Sequence, residues 1–138
     1  MNYKQICEKY EVQNLIDADL ICADLSGADL SGANLNNIKL SLDEAPIIKD
    51  IHKKLYECVK EEGRLEMSNW HECETTHCRA GWIVTMAGEE GLALEEKLGM
   101  PMAALLIYLK SEPSLDRCPD FYASNEDAMK DIKKMAGV

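Results

Sequence analysis

Leucine recurs at every fifth position, as Leu15, Leu20, Leu25, Leu30, Leu35 and Leu40, and this period constrains the fold more than any other feature of the chain. An α-helix repeats every 3.6 residues and a strand every 2, so a period of five lines one face of neither. Two residues before four of these leucines stands an alanine, at Ala18, Ala23, Ala28 and Ala33. Written in fives, the segment reads Ala18-Asp19-Leu20-Ile21-Cys22, Ala23-Asp24-Leu25-Ser26-Gly27, Ala28-Asp29-Leu30-Ser31-Gly32, Ala33-Asn34-Leu35-Asn36-Asn37. Some other regular path must exist here.

The segment from about residue 13 to 42 resembles the pentapeptide-repeat family, whose motif is A(D/N)LXX. The resemblance implies an α+β chain containing a short right-handed, quadrilateral β-helix, in which each unit forms one side and four units form one coil. It implies that Leu20, Leu25, Leu30 and Leu35 point inward. Ala18, Ala23, Ala28 and Ala33 would point inward near corners that admit only small side chains. Asp19, Asp24, Asp29, Asn34 and the Ser/Gly positions would face solvent or turn the corners, where their local hydrogen bonds and tolerance of unusual φ suit them. At the ends Gln13 and Ile38 replace Ala, and Lys39 replaces Asp or Asn, leaving about 1.5 coils. A solenoid buries its core between neighbouring coils and needs about three layers to stand alone. The short coil must therefore lean on the rest of the chain or on a second copy, and a homodimer is expected in which the partner covers an open end.

The chain divides into residues 1–42, a short N-terminal segment plus the repeat, and residues 43–138, a helical region packed with it as one unit. Ile6, Cys7, Tyr10 and Val12 suggest a helical turn or two before the repeat. Ser41-Leu42-Asp43-Glu44 has capping-box form, Pro46 suits a first turn, and apolar residues from Ile47 to Val59 recur at helical steps. A helix over 44–61 is predicted, as a lid on the repeat. Residues 64–77 read as irregular. Four further helices are predicted: 78–87 with Thr75 or Thr76 as N-cap, 90–98 stopped by Gly99, 101–110 opened by a proline, and 128–135 launched from Ser124. The stretches 73–82 and 119–128 also resemble parts of uncharacterised bacterial and phage proteins, which implies a recurring helical module and carries no function.

Charge narrows the functional classes. The chain has 138 residues and a net charge of −10, which opposes binding to nucleic-acid phosphates or an anionic membrane. Its longest apolar run, Met100 to Leu109, falls short of the roughly 20 residues a membrane span needs. No signal-peptide core follows Met1-Asn2-Tyr3-Lys4, so a cytoplasmic setting is expected. The six cysteines, Cys7, Cys22, Cys58, Cys73, Cys78 and Cys118, are then expected as free thiols.

One constellation could carry chemistry: His71-Glu72-Cys73-Glu74-Thr75-Thr76-His77-Cys78. Two imidazoles and two thiols are ligand types that zinc prefers, but adjacent His77 and Cys78 point apart on any regular backbone, so three ligands from His71, Cys73 and one of His77 or Cys78 fit better. Alternatively Cys78, at a helix N-terminus, could act as nucleophile with His71 or His77 as base and Glu72 or Glu74 orienting it. No motif supplies an oxyanion hole. The favoured expectation is that Cys73 and Cys78 are buried structural contacts, with no metal, cofactor or catalytic residue. Trp70, Trp82, Phe121 and Tyr122 read as packing anchors, and the methionines as gap fillers.

The leading functional expectation is a non-enzymatic protein-binding or scaffold module. A small metal-binding or Cys/His enzyme centred on 71–78 is the alternative. A second alternative follows from the family resemblance, since some members mimic DNA and inhibit topoisomerases. Against it, the repeat is too short to imitate a duplex, and residues 1–42 carry only −3 of the charge while 43–138 carry −7.

Overall fold

The computed structural model describes residues 2–9, 15, 18–21, 23–68, 71–73 and 76–138, with backbone alone for Tyr3, His71, Glu72, Cys73 and Thr76. Tyr10, Val12, Gln13, Cys22, Trp70, Glu74 and Thr75 lie outside the described residues. In chain order the elements are α1 (Tyr3–Lys9), α2 (Ile51–Val59), β1 (His71–Cys73), β2 (Thr76–His77), α3 (Arg79–Met86), α4 (Gly88–Leu98), α5 (Met100–Ser111) and α6 (Asn125–Ala136).

Sequence explains most of these helices locally. α1 opens with a reciprocal cap, in which Gln5 N–H donates to Asn2 Oδ1 at 3.0 Å and Asn2 N–H to Gln5 Oε1 at 2.9 Å. α6 starts where its capping signal lies, with Asp127 N–H donating to the Ser124 hydroxyl at 3.2 Å. α4 ends at Gly99, and Pro101 sits in the first turn of α5. α5 is the central helix: Met102 through Leu109 are all buried, because α3 and α4 pack on it. Such a helix is apolar all round rather than along one stripe.

The helix expected over 44–61 is shorter, beginning at Ile51 after a left-handed Asp50. The backbone of Ile48 does not enter a helix, since its N–H donates to the Ser111 hydroxyl at 2.8 Å. α2 packs against α6 and α3.

The expected quadrilateral β-helix of about 1.5 coils is corrected by the structure. The described strands, β1 and β2, form one short antiparallel ladder at 71–77, outside the repeat. The described repeat residues make only single bridges: Asp19 with Lys39 and Asn2 with Asp29, both parallel, and Asn34 with Arg117, antiparallel. The protein is thus predominantly helical, with six helices among the described residues. Its repeat is a chain of turns. The physical reason lies in the layer count: a strand ladder needs a neighbouring coil along its length, and so few units supply almost none. Within the repeat, Leu20 N–H donates to Lys39 O and Lys39 N–H to Ala18 O, both at 2.8 Å, and other backbone groups bond to the helical region. Gly27 N–H donates to Leu98 O at 2.8 Å, Gly32 N–H to Cys118 O at 2.8 Å and Leu35 N–H to Asp116 O at 2.7 Å, while Cys118 N–H donates to Ala33 O at 2.9 Å. Buried Leu20, Leu25, Leu30 and Leu35 share one apolar cluster with the α5 core. No described helix is long and apolar enough to cross a membrane.

Candidate functional site

The repeat follows one local rule, unit after unit. Each Leu carbonyl accepts the N–H three residues on, from Ala23, Ala28, Ala33 and Ile38, at 2.9–3.1 Å. The residue just before that donor is left-handed at Gly27, Gly32 and Asn37, with φ of 73°, 75° and 57°, which is why Gly or Asn ends these units. The second residue of each unit makes an Asx turn: Asp19, Asp24, Asp29 and Asn34 accept the N–H two residues on, from Ile21, Ser26, Ser31 and Asn36, at 3.0–3.2 Å.

These bonds sort the side chains. Leu20, Leu25, Leu30 and Leu35 are buried, as are Ala18, Ala28 and Ala33, while Ala23 is half-buried. Asp19 and Asp24 are exposed, with Asp29 and Asn34 partly so, and the result is a row of oriented polar side chains at five-residue intervals. The Ser26 N–H, then its hydroxyl, hold the Asp24 carboxyl below its ordinary pKa. At one corner the Ser31 hydroxyl donates to Asp29 Oδ1 at 2.6 Å and accepts the Phe121 N–H at 3.2 Å, tying the row to the helical region.

The 71–78 constellation is arranged differently from either chemical alternative. Its backbone forms the β1–β2 ladder, with His71 opposite His77. His77 is buried and meets the Trp82 ring edge-on at 4.8 Å. Cys78 is the N-cap of α3, in the place expected for Thr75 or Thr76; its sulfur accepts the Gly81 N–H at 3.3 Å and lies 3.8 Å from the Met100 sulfur. Burial pushes the Cys78 thiol pKa up, outweighing the lowering by the Gly81 and Ala80 N–H groups. The helix N-terminus therefore does not activate this thiol as the nucleophile reading requires. His77 and Cys78 face different neighbours. The side chains of His71, Glu72 and Cys73 lie outside the described set, and among the described residues no three His, Cys, Asp or Glu groups converge as for a metal ion. Among the described residues Cys7, Cys58 and Cys118 are free thiols.

Sequence reasoning missed Arg79. Its guanidinium is 1% exposed and joins three helices: Nε donates to the Tyr108 hydroxyl at 3.0 Å, Nη1 to Asp131 Oδ2 at 2.6 Å and Nη2 to the Met135 sulfur at 3.0 Å. Its carbon centre also lies 5.5 Å from the Tyr108 ring. The available signal was a single charge opening the otherwise apolar Ala80-Gly81-Trp82-Ile83-Val84 run. The His52 ring lies 6.0 Å from the Tyr108 ring, tilted by 32°, and burial holds its pKa below the ordinary value although Glu112 acts in the opposite direction.

Residues 14–41 match the family described as Pentapeptide repeats (8 copies), a span with room for fewer than six units. No curated protein and no solved structure matches the chain. The fivefold leucine period, the turns that follow the leucines and this match fall on the same stretch of chain. Residues 14–41 are a pentapeptide-repeat segment.

Proposed function

We propose that the chain is a non-enzymatic interaction or scaffold module whose repeat presents its Asx-turn row to a protein partner. Pentapeptide repeats by themselves suggest such a role. The observation that carries the finer reading is the regular display of Asp19, Asp24, Asp29 and Asn34, each held by a hydrogen bond to its own turn. Side chains fixed in advance lose less conformational entropy on binding. The row is acidic, so a partner with a basic surface suits it.

The rival readings have less support. A Cys78 nucleophile meets the raised thiol pKa and its 1% exposure. DNA mimicry meets the brevity of residues 14–41 and the location of most negative charge in the helical region. A homodimer that covers an open end of the repeat has less support, because Asp116 and Cys118 already bond to one of the repeat's edges. We place the module in the cytoplasm, where its thiols stay reduced.

The test is co-purification from the native host with wild type and with Asp19→Lys/Asp24→Lys. Loss of a partner that a Glu126→Lys control retains is the expected result. Retention by the double variant would remove the row from the interface. Near-stoichiometric zinc that vanishes in Cys73→Ser would favour the metal reading instead.

A further inference from the structure

Ile47 is 66% exposed, more than any other described large apolar residue except Val138. It stands between two open hollows, of about 680 and 750 Å³, and among the described residues it alone lines both. A single exposed isoleucine needs no partner. This one has apolar neighbours on either side, Pro46 and Ala93 in the first hollow and Cys58, Met86 and Ala87 in the second, all at least partly exposed.

The two hollows differ in charge. Lys49, Lys53 and Lys54 line the second; all three are exposed, and none makes an ion pair among the described residues. Against them stand Asp50 and Glu57, and Glu57 is taken by Lys60 at 2.7 Å. In the first hollow Glu44 and Lys97 neutralise each other at 2.6 Å. That leaves the exposed carboxylates of Asp43 and Glu90, outside any ion pair among the described residues, against Lys110, whose Nζ donates to the Asp43 carbonyl at 3.4 Å. A basic half and an acidic half therefore flank an exposed apolar centre.

A foreign partner would need the reverse pattern on both sides of an apolar centre of its own. A second copy of this chain, turned about a two-fold axis beside Ile47, carries that pattern by construction, because each basic half then meets the other copy's acidic half. Roughly twenty residues line the two hollows together, at the lower end of what a standard interface takes from each partner. We propose that this face joins two copies of the chain, with Ile47 packed at the centre and Lys49, Lys53 and Lys54 opposite the partner's Asp43 and Glu90. The face contains none of residues 14–41, so it is distinct from a dimer that covers an end of the repeat.

Light scattering of the full chain from roughly 1 to 200 µM, a range that covers micromolar association, tests it. The mass should rise from 15.5 kDa toward twice that value. Ile47→Asp should keep the chain monomeric throughout. Lys53→Glu/Lys54→Glu and Asp43→Lys/Glu90→Lys should each weaken self-association about tenfold or more. Mixed in equal amounts, the two charge variants should associate again, since a chain acidic on both halves meets a chain basic on both. All five side chains are exposed, so the fold should survive, and melting curves check that. A wild-type mass that stays at one chain would overturn the proposal and leave the face to a different protein. A dimer that none of the variants weakens, or a mixture that stays monomeric, would overturn it as well.

Discussion

The Arg79 guanidinium lies 2.6 Å from the Asp131 carboxylate across the α3–α6 boundary, with Arg79 1% and Asp131 46% exposed. The buried partner is the one that cannot shed its charge. Removing Asp131 leaves a cation whose remaining bonds among the described residues go to Tyr108 and Met135, whereas removing Arg79 frees a carboxylate that water already reaches. Asp131→Ala should accordingly cost about 2–4 kcal/mol. Arg79→Met/Asp131→Ala should cost less than the sum of the two single variants. Urea denaturation in a double-mutant cycle measures the coupling, and strict additivity would mean the pair is not coupled.

The turns of the repeat make opposite predictions at two positions that look alike in sequence register. Asn37 and Gly32 both have left-handed φ, of 57° and 75°. Asn37→Gly relieves a conformation that costs an L-residue roughly 1 kcal/mol and should be stabilising or neutral. Gly32→Ala meets no steric obstacle, since nothing lies within 4 Å of an added Cβ, so its cost should be the conformational one alone, about 1 kcal/mol. Leu30→Ala, at 1% exposure, should cost about 2–5 kcal/mol. Thermal melts of the three variants should rank them in that order.

Buried thiols set the alkaline limit. Burial raises the pKa of Cys78 and pushes that of Cys118 far up, and it raises the Tyr108 hydroxyl as well. Each group is neutral in the fold and ionises more readily when unfolded, so a thiol's contribution is complete below its unfolded value of about 8.5, the Tyr108 hydroxyl's below about 10, and each is lost as pH rises above that value. Stability should be flat from pH 7 to 8 and fall beyond pH 9. In a Cys22→Ser/Cys73→Ser background, a thiol reagent should label half-buried Cys58 first and reach Cys78 and Cys118 only through unfolding. Rapid labelling of Cys78 at pH 7 would contradict this and revive the nucleophile.

The parts of this fold that announce themselves in sequence are local. The Leu/Ala period marks the repeat, and Ser124, Gly99 and Pro101 mark helix ends, because each acts on neighbours within a few residues. What stayed hidden depends on partners far along the chain. The pairing of Gly32 and Ala33 with Cys118 spans more than 80 residues, and segment 115–121 has no periodic pattern of its own. The start of α2 was misplaced because the Ile48 N–H is taken by Ser111, a tertiary bond no local signal predicts. At 71–78 the residue types suggested a site, but the burial that raises the Cys78 pKa comes from tertiary packing. Arg79 was overlooked for the same reason, its partners Tyr108 and Asp131 lying on two later helices.

Central to this account is that the repeat is built into the helical body rather than standing as a coil of its own. Native-state hydrogen exchange tests it most directly, at the amides of Gly32, Leu35 and Cys118, which cross between the two parts, against those of Leu105 and Ile107 in α5. If the repeat and body open together, the crossing amides should be protected to within about tenfold of the α5 amides, near the global unfolding limit. Exchange at Gly32, Leu35 and Cys118 a thousandfold or more faster, with α5 still protected, would show a repeat that opens by itself and would contradict the account.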